Sequence, residues 1–294
     1  MPLEITPLDG EAFGATVVGW QPSREPDSAM VGQVRAALAA HLVLVFRGHT
    51  QPTDDELVCF AAAFGELIKG SEWLHDAGSR AEILPVTNAL DDAGIPLGTG
   101  GAGQLEWHAD YSYSPSPARE SFLEAVEVPP RGPRTHFVNQ YHTLESLPAE
   151  LVQQLRTLRA RHHVAQYFEA GVNGDRHELD RGFAAKQARD AARGIERPAI
   201  PEALHPVVLS HPDTGREMLY VSKGLTDAIV GMDRVESSAL LKELHRHATR
   251  PEVVYSHEWH VGDLVLFDAL AGMHRRDRWD SGERRVMRQL STAR

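Results

Sequence analysis

Hydrophobic positions along the chain repeat with two different spacings and divide it into many short strands and a few helices. Ala15-Thr16-Val17-Val18 reads as a strand ahead of the turn-rich Gly19-Trp20-Gln21-Pro22, and Leu42 to Phe46 is a continuous apolar run of buried-strand length ended by Arg47-Gly48. Met30 to His41 predicts a helix with Val31, Val34, Leu38 and Ala39 on one face. Thr53 followed by Glu56 is a capping-box pair, opening a helix whose Leu57, Phe60, Phe64 and Leu67 recur at helical spacing. Leu144 to Leu158 and Arg234 to Ala248 predict two more helices. Strands are expected at Ser121 to Val128, Thr135 to Asn139, Pro206 to Leu209 and Glu217 to Val221, with turns at Pro129 to Pro133 and Asp213-Thr214-Gly215. Val253 to Trp259, Leu264 to Phe267 and Arg285 to Leu290 close the chain as strands. The expected fold class is therefore α+β, mostly β, with a β-sandwich or jelly-roll core flanked by helices.

Two stretches break the regularity. Between Lys69 and Gln104, the segment Gly94 to Gly103 is too rich in glycine for a helix or strand interior, and it leads directly into Trp107-His108-Ala109-Asp110. Asp175 to Pro201 is polar, charged and proline-terminated, an insertion with a short helix near Phe183 to Ala192. Lid segments are accordingly expected near 69–104 and 170–201, because loops beside a site commonly close over it.

Composition narrows the class. A chain of 294 residues, 42% apolar and 24% charged, is ordinary for a folded protein and reads as one domain over 1–294. A net charge of −11 argues against a basic nucleic-acid surface, so an anionic substrate would need its own arginine or lysine. Met1 to Gly10 has no signal-peptide pattern, and no apolar run approaches the ~18 residues that span a bilayer. One cysteine excludes an internal disulfide and fits a reducing cytoplasm; Cys59, within an apolar helix, is expected to be a buried thiol. A small-molecule substrate, with no nucleic acid and no membrane, is the partner this composition fits; it leaves a homo-oligomer open.

The candidate chemistry lies in Trp107-His108-Ala109-Asp110. An imidazole and a carboxylate two apart on an extended strand share a face and can grip one divalent ion. A third ligand would give the two-His-one-carboxylate set of non-haem Fe(II) oxygenases. At this composition about two His-x-acid pairs arise by chance, and His211-Pro212-Asp213 is a second instance, where the aspartate reads instead as the opening of a turn. Trp107 reads as packing beside the metal strand.

What surrounds the pair distinguishes it. Trp259-His260-Val261-Gly262-Asp263-Leu264-Val265-Leu266-Phe267-Asp268 precedes Met273-His274, and Arg284-Arg285-Val286-Met287-Arg288 follows. With these, the chain resembles the family of Fe(II)/2-oxoglutarate enzymes that contains taurine dioxygenase and the 2,4-dichlorophenoxyacetate dioxygenases. The resemblance implies a double-stranded β-helix core, iron ligands at His108, Asp110 and His274, and Thr135 and Arg285 on the distal carboxylate of 2-oxoglutarate. It departs from the family's usual Gly-Gly-Asp before the threonine, where this chain has Arg131-Gly132-Pro133-Arg134.

The implied cofactor is Fe(II), with 2-oxoglutarate and O₂ as co-substrates; decarboxylation to succinate and CO₂ would be coupled to oxidation of a substrate C–H bond, usually hydroxylation. Asp110 leaves no position for chloride, which disfavours halogenation. The position that holds a sulfonate in taurine dioxygenase is Gln289, a neutral amide, which favours a neutral or zwitterionic substrate or an anion held elsewhere. Gln104, Trp73, His75 and Tyr111 are further substrate candidates, and an amino acid or natural-product intermediate is the class envisaged. Two other classes fit the ligands alone. A zinc hydrolase would leave Thr135 and Arg285 without a role, and a jelly-roll binding module would have lost turnover.

Overall fold

The computed structural model describes residues 3–69, 80–92, 94, 96–164, 188, 191–194 and 201–293. In chain order the strands are β1 (Glu4–Pro7), β2 (Ala15–Val18), β3 (Val43–Phe46), β4 (Glu66–Leu67), β5 (Leu84–Thr87) and β6 (Thr99–Gly100). β7 (Leu105–His108), β8 (Glu120–Glu127), β9 (Thr135–Asn139), β10 (Arg159–His163), β11 (Glu202–Pro206) and β12 (Val208–Ser210) follow. The last are β13 (Glu217–Leu219), β14 (Thr226–Ile229), β15 (Val254–His257), β16 (Leu264–Asp268), β17 (Gly272–Arg276) and β18 (Val286–Ala293). The helices are α1 (Ser28–His41), α2 (Asp54–Ala62), α3 (Gln140–Glu145), α4 (Ala149–Leu155) and α5 (Arg234–Ala248). Among the described residues no helix is long and apolar enough to cross a membrane.

A large sheet runs in the order β1-β2-β3-β16-β8-β18-β5-β6, with β4 added to β18, and a smaller one runs β15-β9-β17-β7. Alternation of side chains explains why the central strands are apolar throughout. Val43 and Val45 of β3, with Val265 and Phe267 of β16, pack toward Phe137 and Tyr255 of the small sheet. Leu44, Phe46, Leu264 and Leu266 point the other way, onto Leu38 of α1 and Leu57 and Phe60 of α2. Both faces are buried, so no polar position interrupts the run. A third apolar cluster joins α3, α4 and α5 through Leu144, Leu155 and Leu244 to β13 and β14.

The expected elements appear with instructive shifts. The capping box at Thr53 and Glu56 is present, but α2 ends at Ala62, and Leu67 lies in β4 rather than on the helix. Cys59, expected to be buried because its segment is apolar, is exposed: it lies off the face that Leu57, Phe60 and Ala61 bury. The helix expected over Leu144 to Leu158 is two helices, because Pro148 lacks the N–H an interior position must donate and sits at the start of α4. The irregular stretch 69–104 contains β5 and β6. Gly98 is required there, since a Cβ on it would lie 2.4 Å from the carbonyl oxygen of Pro85. Of the helix expected near Phe183 to Ala192, residues 188, 191 and 192 are described and are helical, and most of the lid expected over 170–201 lies outside the described residues.

Candidate metal centre and co-substrate pocket

The small sheet assembles the site by register. β17 lies between β7 and β9, with His274 opposite His108 on one side and Phe137 on the other, and Arg276 opposite Thr135. Residues opposite one another in a ladder share a face, as do residues two apart on one strand. His108, His274, Arg276 and Thr135 are thereby brought to one cavity, which Asp110, Tyr111, Arg285 and Gln289 also line.

Asp110 arrives there by a different route from the one expected. β7 ends at His108, and the chain turns at Asp110 and Tyr111, the latter at φ +54°. That left-handed conformation is unusual for a tyrosine and costs backbone strain. It lets two consecutive side chains, Asp110 and Tyr111, line the same cavity, which strand alternation would forbid.

His108 Nε2 is 3.7 Å and His274 Nε2 3.9 Å from Asp110 Oδ1, and the two imidazoles pack at 4.1 Å between centroids. Among the described residues these three form the one group of ligand-type side chains whose donor atoms all converge, within 4.8 Å of one another. His108 Nδ1 donates to the carbonyl of Glu106 at 2.6 Å, which fixes the tautomer and leaves the Nε2 lone pair facing Asp110. Burial pushes the His108 pKa down; burial and then His108 hold that of His274 down at about 3. Both rings are neutral at pH 7, the form that binds metal. The second Asp110 oxygen accepts from Ser121 Oγ at 2.7 Å and from Gln289 Nε2 at 2.8 Å. Two neutral imidazoles and one carboxylate oxygen suit a divalent first-row metal.

Deeper in the cavity, Arg285 is 1% exposed, and its Nε and Nη2 have no hydrogen-bond partner among the described residues. Its backbone is clamped, the N–H donating to Asn88 Oδ1 at 2.9 Å and the carbonyl accepting from Thr87 Oγ1 at 2.6 Å. Its guanidinium lies 5.8 Å from the Trp259 ring and 5.7 Å from that of Trp279. Burial, and then the charge of Arg276, push its pKa down, so an anion in the cavity would relieve it. Thr135 Oγ1 accepts from Trp259 Nε1 at 2.9 Å, which leaves its own proton to donate.

Sequence reading missed Arg276. It donates to the carbonyls of Gly100, at 2.7 Å, and Gly103, and stacks 4.5 Å from Trp279, tying the glycine-rich segment to the strand of His274. Its place two residues after His274 was the available signal. Gln104 lines a separate cleft with Glu106, Lys223 and His245. Trp73 and His75 lie outside the described residues. Tyr111 and Gln289 line the cavity, Gln289 with its amide on Asp110. Trp107 is buried with Val138, Met273 and Ala248. The second His-x-Asp pair is divided: Asp213 ion-pairs with Arg119, and His211 lies 3.6 Å from Asp268.

Residues 4–291 match the family described as taurine catabolism dioxygenase TauD, TfdA family. The chain is 35% identical to pentalenolactone F synthase from Streptomyces avermitilis over 291 residues, 99% of this chain and 94% of the relative. It is 34% identical to an alpha-ketoglutarate-dependent 2,4-dichlorophenoxyacetate dioxygenase from Cupriavidus pinatubonensis over 277 residues, 90% of this chain and 89% of that one. The crystal structure of AAD-2 in complex with Mn(II) and N-oxalylglycine superimposes with a TM-score of 0.74 at 27% identity, covering 100% of this chain and 98% of that one. These relatives give no support to a zinc hydrolase or a binding module. The chain belongs to the TauD, TfdA family and is a 2-oxoglutarate-dependent non-haem iron dioxygenase that uses Fe(II), 2-oxoglutarate and O₂.

Proposed function

We propose that one active site, within a single domain over 1–294 whose facing sheets form a double-stranded β-helix (jelly roll), hydroxylates a small molecule with an apolar body. His108, Asp110 and His274 hold the iron, and Thr135 and Arg285 receive the distal carboxylate of 2-oxoglutarate. The observation that carries this reading is the Arg285 guanidinium, unpartnered at Nε and Nη2 among the described residues, inside the cavity the three ligands share. An isolated buried cation is costly, and a carboxylate meeting its planar fork offsets that cost with two parallel hydrogen bonds. Bound iron supplies the activation of O₂ that couples loss of CO₂ from 2-oxoglutarate to oxidation of a substrate C–H bond.

The chain's own residues orient and enclose. Trp259 holds the Thr135 hydroxyl so that its proton is available to a carboxylate, and Trp259 and Trp279 flank the arginine against water. Leu84, Val86, Leu105, Leu123, Val164 and Leu225 line the remaining wall with Tyr111 and Tyr113. Burial raises the pKa of both phenols, so they are neutral hydrogen-bond donors. With Gln289 on Asp110 and Arg276 on the glycine carbonyls, this wall favours a substrate without an anionic group at that end. The named product of one relative, pentalenolactone F, and the named substrate of another, 2,4-dichlorophenoxyacetate, are likewise small molecules. The reading places the enzyme in the cytoplasm, without a nucleic-acid or membrane partner.

The test is succinate release across amino acids, sulfonates, aryloxy acids and neutral cyclic natural-product intermediates. Stimulation by neutral, largely apolar compounds is expected; stimulation by sulfonates alone would overturn the substrate class.

A further inference from the structure

Gln289 was expected at the substrate, yet its amide lies on a metal ligand. Its Nε2 donates to Asp110 Oδ2 at 2.8 Å, and Ser121 Oγ donates to the same oxygen at 2.7 Å. Ser121 Oγ is in turn 2.8 Å from Ser291 Oγ. The register builds this group. Ser291 of β18 lies opposite Ser121 of β8, and Gln289 lies two residues before Ser291, on the same face of β18. A carboxylate that serves as a metal ligand accepts hydrogen bonds, so the amide nitrogen, not its oxygen, must face Asp110.

We propose that Gln289 is a positioning residue for Asp110, acting with Ser121 to keep the carboxylate a one-oxygen ligand. The inference rests on reading His108, Asp110 and His274 as the metal site. A carboxylate free to turn can offer both oxygens to a metal ion. One whose Oδ2 already accepts two hydrogen bonds presents Oδ1 alone, the atom that faces both imidazoles. That keeps open a coordination position which a second carboxylate oxygen would fill. The neutrality of the amide matters as well. An arginine or lysine on Asp110 would pair with its charge and compete with the metal cation, whereas glutamine orients the carboxylate and leaves its charge for the metal. On this account the residue acts on the metal ligand first, and any effect on substrate follows from that.

Anaerobic titration of the metal-free protein with Co(II), read in the visible ligand-field bands without 2-oxoglutarate or substrate, separates the alternatives. Gln289→Met keeps the side chain's length and removes the donor. Ser121→Ala removes the other donor with a small change of volume, and serves if the first variant does not fold. Each is expected to weaken Co(II) binding about 10- to 100-fold and to change the band pattern as the coordination number changes. In the double variant the loss should fall short of the product of the two, since both donors hold one oxygen. Wild-type Co(II) affinity and bands in the folded variants would overturn the proposal and return Gln289 to the substrate wall. Absence of any Co(II) binding by the wild-type protein would overturn the metal-site reading itself.

Discussion

Trp259 donates its indole N–H to the hydroxyl of Thr135, 124 residues earlier in the chain, at 2.9 Å. That hydroxyl accepts from the indole and keeps its own proton to donate, which is what a carboxylate needs. Thr135→Val removes the hydroxyl at nearly constant shape and should raise the 2-oxoglutarate KM about 10-fold or more. Trp259→Phe leaves the hydroxyl but frees its direction, so a smaller rise is expected. Equal KM values for Thr135→Val and wild type would refute the donor role.

Arg285 couples binding to stability with opposite signs. Arg285→Gln should raise the 2-oxoglutarate requirement about 100-fold, with little change in that for Fe(II). In the absence of 2-oxoglutarate the same variant should melt at a higher temperature than wild type, because an unpaired buried cation has been removed. Added 2-oxoglutarate should stabilise the wild type and not the variant. Equal loss of affinity for metal and co-substrate would point to a collapsed pocket instead.

Arg276 fastens the glycine-rich segment through the carbonyls of Gly100 and Gly103. Arg276→Met should increase proteolysis within 98–103 while leaving the metal ligands able to bind Co(II). Gly98→Ala, whose Cβ would meet the Pro85 oxygen at 2.4 Å, should destabilise the fold by about 2 kcal/mol or more, read by urea unfolding. An unchanged unfolding midpoint for Gly98→Ala would show that β5 and β6 do not approach so closely.

His162 gives the protein acid sensitivity. The ring is 1% exposed and stacks on Tyr220 at 5.3 Å, and burial, then the neighbouring His205, hold its pKa down at about 3. Below about pH 6.5 the unfolded chain takes up a proton that the folded chain refuses until about pH 3. Stability therefore falls as pH falls through that window, by about 1–2 kcal/mol between pH 6.5 and 5 from this group. His162→Phe should remove that share of the slope. Denaturant unfolding at several pH values measures it, and parallel pH profiles for variant and wild type would exclude the assignment.

Local chemistry was legible in the sequence where it acts locally. The Thr53 capping box, the Asp213-Thr214-Gly215 turn and the bounds of α5 depend on neighbours a few residues away. β5 was hidden in a stretch that reads as irregular, and what makes it a strand is pairing with β18, far along the chain, and with β6. β17 was hidden because Gly-Met-His-Arg-Arg carries charge that only the assembled site buries. The apolar stretch around Cys59 suggested burial, but the helical period of Leu57 and Phe60 leaves that thiol on the outer face. His108 and His274 could be joined from the sequence only through a spaced family pattern, since their contact is a matter of sheet register. Arg276 had one local signal, its place two residues after His274, but its hold on the glycine carbonyls, like the engagement of Gln289 with Asp110, emerges only when β17 and β18 are packed.

Anaerobic addition of Fe(II) and then 2-oxoglutarate to the metal-free protein, followed in the visible spectrum, tests the central claim most directly. A charge-transfer band is expected for the wild type, absent in His108→Ala and His274→Ala, and in Arg285→Gln reached only at much higher 2-oxoglutarate. A wild type with no band at saturating concentrations, or a band that survives His108→Ala unchanged, would contradict the account.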